Sequence, residues 1–156
     1  LVFDIDAGAA AAFAEEMGAK LRIAVVPASR PEALAEADII STVTTSATPV
    51  FADGDLKSGA HINAVGSYKP HVREVPGETI RRARLFVDER RSCLEEAGDL
   101  IIPLRQGLIR EDHIVAEIGE VLAGLAPGRR SEDEITVFKS VGNAVEDLAV
   151  AGLVVG

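Results

Sequence analysis

Short apolar runs alternate along the chain with segments of helical character. The runs LVFDID (1–6), LRIAVV (21–26), DIISTVTT (38–45), HINAVG (61–66) and RLFVDE (84–89) predict strands. Helices are predicted between them, over AGAAAAFAEEMG (7–18, stopped by Gly18), SRPEALAEAD (29–38, capped by Ser29), REVPGETIRRA (73–83, after Pro76) and RRSCLEEAGD (90–99). Strands that alternate with helices at this spacing predict an α/β protein with a doubly wound parallel sheet. The run 38–45 is nearly all apolar or β-branched, as is typical of a strand buried on both faces.

The last third of the chain has longer patterns. HIVAEIGEVLAGLAPG (113–128) carries apolar residues at helical spacing and ends at Pro127–Gly128, which predicts a helix. EITVFKS (134–140) predicts a strand, and VGNAVEDLAVAGLVV (141–155) predicts a long helix with one apolar face. This last helix either closes the domain or packs against a second domain. The chain starts inside an apolar run without Met, which predicts that it is a piece of a longer protein.

Composition narrows the class of function. With 16 Lys and Arg against 25 Asp and Glu, the formal charge is −9, so the chain is expected to bind no nucleic acid. No apolar run reaches the length of a membrane span, and no membrane partner is expected. Cys93 is the single cysteine, which excludes an internal disulfide and fits a cytoplasmic protein. It has no neighbouring base in the sequence, so we interpret it as a structural thiol.

Candidate chemistry gathers where strands end, since ligands of open α/β sheets bind beyond the carboxyl ends of the strands. Asp4 suits either the hydroxyls of an adenosine ribose or the start of a helix. Thr44 offers a hydroxyl to a ligand, or forms a turn with its neighbours Thr45 and Ser46. No G-x-G-x-x-G, metal-binding spacing or nucleophile elbow occurs in the sequence.

The stretch HINAVGSYKPHVR (61–73) is unusually rich in reactive groups. Gly66 permits a close backbone approach, and Asn63 needs a polar partner within an apolar strand. Lys69 and Arg73 suit a carboxylate, and Tyr68 or His71 suits proton transfer. The alternative interpretation is a solvated basic loop.

Four strings carry a resemblance over essentially the whole chain: DIISTVTTSATPVF, GAHINAVGSYKPHVREV, RLFVDE and EITVFKSVGNAVEDLAVAGLV. Together they resemble the ornithine cyclodeaminase/μ-crystallin family. The resemblance implies a homodimer that binds NAD, with NADP less favoured because of Asp4. It also implies a partial Rossmann domain over residues 1–110, starting at its second strand. Residues 111–156 would then close that domain and join a substrate and dimerisation domain.

Site residues follow from the resemblance position by position. Asp4 matches the acid that binds the ribose, and Thr44 matches a threonine at the cofactor. Asn63, Ala64, Val65 and Gly66 match the strand end beside the nicotinamide half, and Ser140 matches a serine near the cofactor. Val141 matches a residue near the substrate.

This chain resembles true ornithine cyclodeaminases but departs from them at Tyr68, where they carry a catalytic aspartate. It also has Val72 where they carry a lysine. The string SYKPHVRE is more similar to the μ-crystallin (ketimine reductase) and amino-acid dehydrogenase branches. The resemblance therefore implies an NAD(P)-dependent oxidoreductase acting on a small amino or imino acid, with Tyr68 as the catalytic candidate and Lys69 as a substrate ligand. The alternatives are an ammonia-releasing lyase and a non-enzymatic binding protein.

Overall fold

A computed structural model describes residues 1–156, apart from the side chain of Pro31. Its strands are β1 (Ile39–Thr42), β2 (His61–Ala64), β3 (Arg84–Val87), β4 (Ile114–Glu117) and β5 (Thr136–Lys139). Its helices are α1 (Ala7–Leu21), α2 (Arg30–Glu36), α3 (Gly77–Arg82), α4 (Arg90–Glu96), α5 (Gly98–Arg105), α6 (Ile118–Leu122) and α7 (Ala144–Val155). Short 3₁₀ turns occupy Asp53–Asp55 and Glu111–His113.

The strands form one parallel sheet in the order β1-β2-β5-β3-β4. This arrangement confirms the α/β class of the Rossmann type. β3 is buried along its whole length, and Ile62, Leu85 and Val137 pack beneath α3, α4 and α5 in the hydrophobic core. β5 lies between β2 and β3, although these two strands are consecutive in the sequence and both precede it. Within the described residues, no helix is both long and apolar enough to span a bilayer.

Two predicted strands are wrong. Residues 1–6 and 21–26 pair only as an isolated parallel bridge between Val2 and Pro27, in which the amide of Val2 donates to Val26 O at 3.0 Å. A strand needs a hydrogen-bonded neighbour along its length, and this pair is not joined to the five-stranded sheet. The helix expected to stop at Gly18 continues to Leu21 and ends at Arg22, whose φ of 55° is left-handed.

The helix predicted over 113–128 is also wrong. Ile114–Glu117 form β4, which pairs with β3, and helix begins only at Ile118. Ile114 and Ala116 are buried at alternate positions, which is the period of a strand. This short pattern was not recognised because the apolar residues of the longer segment have helical spacing. β1 departs from expectation too: it lies at the sheet edge, and Ile39 is 68% exposed rather than buried on both faces.

α7 forms as predicted, and Asn143 caps it by accepting from the amide of Val145 at 3.2 Å. Its apolar residues are nevertheless exposed, among them Leu148 at 72% and Leu153 at 84%. The sequence left open whether this helix closes the domain or meets a second one. In the structure it does not close the core, because none of its residues is buried.

Candidate functional site at the carboxyl ends of the strands

The strand ends lie in register along one edge of the sheet. Thr42 pairs with Ala64, Ala64 with Lys139, and Lys139 with Val87. The segments that follow β1, β2, β5 and β3 therefore leave the sheet side by side. We call them together the carboxyl edge: residues 43–46, 65–69, 140–142 and 88–89. This edge is where the topology of an open parallel sheet places its ligands.

The loops after β1 and β2 touch through their backbones. The amides of Val65 and Gly66 both donate to Thr42 O, at 3.0 and 3.1 Å. A Cβ built on Gly66 would lie 2.3 Å from Thr44 O and 2.5 Å from Thr44 N. Glycine is required at this position because no side chain fits between the two loops.

Glu74 joins the same two loops from beneath. Its side chain is fully buried, and it accepts from Thr42 Oγ1 at 3.0 Å, Thr44 N at 2.6 Å and Ser67 N at 3.1 Å. These three hydrogen bonds replace much of the hydration that the carboxylate loses when it is buried.

Asp88 plays the corresponding part at the end of β3. Its Oδ2 accepts from Ser140 Oγ at 2.7 Å and from the amides of Val141 and Gly142 at 2.8 and 2.9 Å. Burial opposes ionisation of this carboxyl, but the hydrogen bonds outweigh it, so that the pKa of Asp88 is lowered. The turn from β5 toward α7 is thus held by an ionised side chain.

The structure brings together most of the predicted cofactor residues. Thr44 is exposed, Gly66 and Ser140 are half-buried, and Ala64 is buried in the sheet with Ala64 O accepting from the amide of Ser140 at 3.1 Å. Val65 is 44% exposed and Val43, which follows the neighbouring strand, is 71% exposed. Val141, predicted near the substrate, packs partly against the hydrophobic core.

Asn63 finds its polar partners within the protein. Its Oδ1 lies 3.1 Å from His61 Nε2, and His61 Nδ1 lies 2.7 Å from Thr136 Oγ1. Burial is the main cause that lowers the pKa of His61, so the neutral imidazole is favoured. Asn63 therefore belongs to a hydrogen-bonded row across β2 and β5.

Three predicted residues lie away from these contacts. Tyr68 is 58% exposed, and Lys69 Nζ lies 5.5 Å from the centre of its ring, so both side chains are open to a ligand. Asp4 is exposed and makes a local hydrogen bond, in which Asp6 N donates to its Oδ1 at 2.8 Å. Asp6 rather than Asp4 caps α1.

Cys93 is a buried structural thiol. Its Sγ donates to Asp88 Oδ1 at 3.1 Å, and burial is the main cause that raises its pKa. A thiol held neutral in this way is a poor nucleophile.

Four buried charged residues at this end of the sheet were not predicted from the sequence: Glu74, Asp88, Asp99 and Lys139. One signal was available, since Lys139 stands inside the apolar strand TVFK and a lysine there requires a partner. Glu74 and Asp99 gave no such signal, because their surroundings in the sequence are polar or helical.

The carboxyl edge exposes apolar and hydroxyl groups that suit the nicotinamide half of a dinucleotide. Val43 and Val65 present exposed apolar surface for a flat ring, and the hydroxyl of Thr44 lies beside them in the chain. Asp4 lies outside the carboxyl edge, on the N-terminal segment, where its exposed carboxylate suits the hydroxyls of a ribose. The arrangement fits a nicotinamide dinucleotide.

Comparison with known proteins identifies the family. The family model described as "Ornithine cyclodeaminase/mu-crystallin family" matches residues 1–156. The chain belongs to this family. This match confirms the resemblance to the family that the sequence motifs indicated.

Several of the relatives are reductases. The chain is 47% identical over 142 residues to a Delta(1)-pyrroline-2-carboxylate reductase of Bacillus cereus, covering 90% of this chain and 43% of the relative. It is 44% identical over 129 residues to the mouse ketimine reductase mu-crystallin, covering 83% of this chain and 38% of the relative. The chain thus spans less than half the length of these curated relatives.

A solved structure matches closely as well. The Delta(1)-pyrroline-2-carboxylate reductase of Thermococcus litoralis, in complex with NADH and L-proline, matches with a TM-score of 0.93 and 44% identity. The match covers 96% of this chain and 47% of that one.

Proposed function

We propose that this chain is part of an NAD(P)H-dependent imine reductase that converts a small cyclic imino acid, of the Δ1-pyrroline-2-carboxylate type, to the amino acid. The observation that carries the proposal is the close match to a reductase whose structure contains NADH and L-proline. In this reaction the imine carbon gains a hydride and the imine nitrogen gains a proton, while the dinucleotide is oxidised.

Cofactor binding would fall to the carboxyl edge. Val43 and Val65 contact the nicotinamide half, Thr44 offers its hydroxyl, and Ser140 lines the site with its hydroxyl held by Asp88. Asp4, on the N-terminal segment outside that edge, binds the adenosine ribose. The bound dihydronicotinamide supplies the hydride. The Asp4 carboxylate would repel a 2′-phosphate, which favours NADH over NADPH.

Substrate binding would involve the exposed side chains after Gly66. The ammonium of Lys69 is free to pair with the carboxylate of the imino acid. Tyr68 would give its phenolic proton to the nitrogen, a role that suits a neutral phenol better than proton abstraction.

Domain organisation and assembly extend the same proposal. Residues 1–110 form part of a nucleotide-binding domain that starts at its second strand, and 111–156 complete it and lead to a substrate and dimerisation domain. The exposed edge of β1 at Ile39 would pair with a strand contributed by another part of the polypeptide. The exposed apolar side of α7 would lie in the contact with that second domain of a cytoplasmic homodimer.

The test is made on the complete polypeptide that carries this sequence. Purified protein is mixed with Δ1-pyrroline-2-carboxylate and NADH, and the loss of absorbance at the dihydronicotinamide band is followed. We expect stoichiometric oxidation of NADH and formation of proline. Release of ammonia from ornithine without net change in NADH would instead establish the lyase, and tight ligand binding without turnover would establish the binding protein.

A further inference from the structure

Three charged side chains lie fully buried directly beneath the carboxyl edge. Glu74, Asp99 and Lys139 each have no exposed surface. Lys139 Nζ and Asp99 Oδ2 form an ion pair at 3.1 Å, and Asp99 Oδ2 has no other polar partner. Burying charges is costly, and replacing such a pair by apolar groups is often neutral or stabilising. Stability alone is therefore a weak reason for these residues.

The three residues form a closed circuit of hydrogen bonds and one ion pair around the backbone of Ser67. Ser67 N donates to Glu74 Oε2, while Ser67 O accepts from Lys139 Nζ. Asp99 Oδ1 accepts from the amide of Glu74 at 2.8 Å, and Asp99 Oδ2 returns to Lys139. Both polar groups of the Ser67 backbone are thus held by buried ionic side chains, immediately before Tyr68.

The same circuit sets the distance between two loops. Glu74 Oε1 accepts from Thr44 N after β1, and Glu74 Oε2 accepts from Thr42 Oγ1 in β1 and from Ser67 N after β2. One carboxylate therefore spans the ends of β1 and β2. Gly66 lies between these loops, and its ideal Cβ would be 2.6 Å from Glu74 Oε1. The exposed side chains of Val43 and Val65 stand on the two segments that Glu74 joins.

We propose that Glu74, supported by Asp99 and Lys139, is a positioning residue that fixes the surface formed by Val43, Thr44 and Val65 for the nicotinamide half of the cofactor. The inference rests on the proposed function and names a residue that touches neither cofactor nor substrate. Asp4, on the N-terminal segment, is not part of the circuit. The effect of Glu74 is therefore restricted to the nicotinamide half and leaves the adenosine half unchanged.

The experiment compares two ligands on the complete polypeptide. NADH carries the nicotinamide ring, whereas ADP-ribose has both riboses and the diphosphate but no ring. Dissociation constants for both are measured by calorimetry for the wild type, for Glu74→Gln and for the control Glu78→Gln. Glu78 lies four residues later, is 52% exposed and pairs with Arg81 at the surface.

We expect Glu74→Gln to weaken NADH binding ~10-fold, which is the effect of losing one hydrogen bond to a charged group. The dissociation constant of ADP-ribose should change by less than about twofold. Glutamine keeps the size of the side chain but turns an amide NH₂ toward the amides of Thr44 or Ser67. Should this variant fail to fold, Thr42→Val removes one hydrogen bond to Glu74 and should give a smaller loss with the same selectivity.

Equal weakening of both ligands would mean a general structural role and would overturn the inference, as would unchanged NADH binding. If the wild type reduces the imine but the variants weaken both ligands alike, the proposed function stands and only the role of Glu74 is rejected. Wild-type protein that binds no NADH would reject both.

Discussion

Asp88 and Ser140 are joined by a 2.7 Å hydrogen bond that ties the end of β3 to the turn after β5. The same carboxylate oxygen accepts from the amides of Val141 and Gly142, and Asp88 Oδ1 accepts from Glu89 N and Cys93 Sγ. The shape of that turn therefore depends on a side chain that must accept on both oxygens.

Replacement of Asp88 by Asn should destabilise the protein. Either orientation of the amide turns its NH₂ toward backbone donors, so we expect a loss of about 2–3 kcal/mol in the free energy of unfolding. Urea unfolding of both proteins measures it. Asp112→Asn is the matched control, because that side chain is 77% exposed and its ion pair is 3.8 Å long. A loss no larger than the control's would contradict the role of Asp88.

The pH dependence of this contribution follows from the lowered pKa of Asp88. The carboxyl ionises more readily in the folded protein, so its contribution is complete above the unfolded pKa of about 3.9. It is lost as pH falls below that value through the folded pKa. Asp88→Asn should accordingly flatten the acid side of the stability curve, and a wild-type and variant curve of the same slope below pH 4 would refute this.

His61 should give a second pH dependence, near neutrality. Its pKa is lowered in the folded protein, chiefly by burial, so protonation favours the unfolded state. The free energy of unfolding should have its full value above the unfolded pKa of about 6.5. It should decrease as the pH drops from that value to the folded pKa. His61→Gln should remove this slope below about pH 6.5, as measured by thermal unfolding. His71→Gln, at an exposed position, should leave it in place.

Cys93 should resist alkylation in the native state. Its side chain is fully buried and its pKa is raised, so little thiolate is available. Iodoacetamide should label it rapidly in denaturant and hardly at all in native buffer, as followed by intact mass. Stoichiometric native labelling within minutes would show that the loop around Asp88 opens readily.

How far the sequence predicts this protein depends on where each residue's partners lie. Asn63–Gly66 and Ser140 could be placed at strand ends from the sequence, because an apolar strand and the glycine that follows it are recognised from neighbouring residues alone. The strands expected at 1–6 and 21–26 failed because a strand also needs a neighbour, which local pattern does not supply. Glu74 and Asp99 were missed for the same reason: 25 residues separate them, and only the fold shows that one binds the other's amide.

Asp4 should decide which dinucleotide is preferred. Replacing it by Ser removes a carboxylate that would oppose a 2′-phosphate, so the ratio of kcat/KM for NADPH to that for NADH should rise roughly tenfold, equivalent to 1.4 kcal/mol. Initial rates with both cofactors measure this on the complete polypeptide. Glu15→Gln, also exposed and near by in the chain, should leave the ratio unchanged. A wild-type preference for NADPH would already contradict the proposed role of Asp4.

Tyr68 should separate proton transfer from substrate binding. Tyr68→Phe keeps the ring but removes the phenolic proton, so we expect kcat for imine reduction to fall by about 10²-fold, the lower end of general acid catalysis, with KM little changed. Lys69→Met is the companion variant, and should raise KM for the imino acid more than it lowers kcat, because it removes a charge that pairs with the carboxylate in ground and transition states alike. Steady-state rates on the complete polypeptide distinguish the two patterns. Unchanged turnover in Tyr68→Phe would remove this residue from the catalytic site and assign the proton to another donor, such as water or a side chain of the substrate domain.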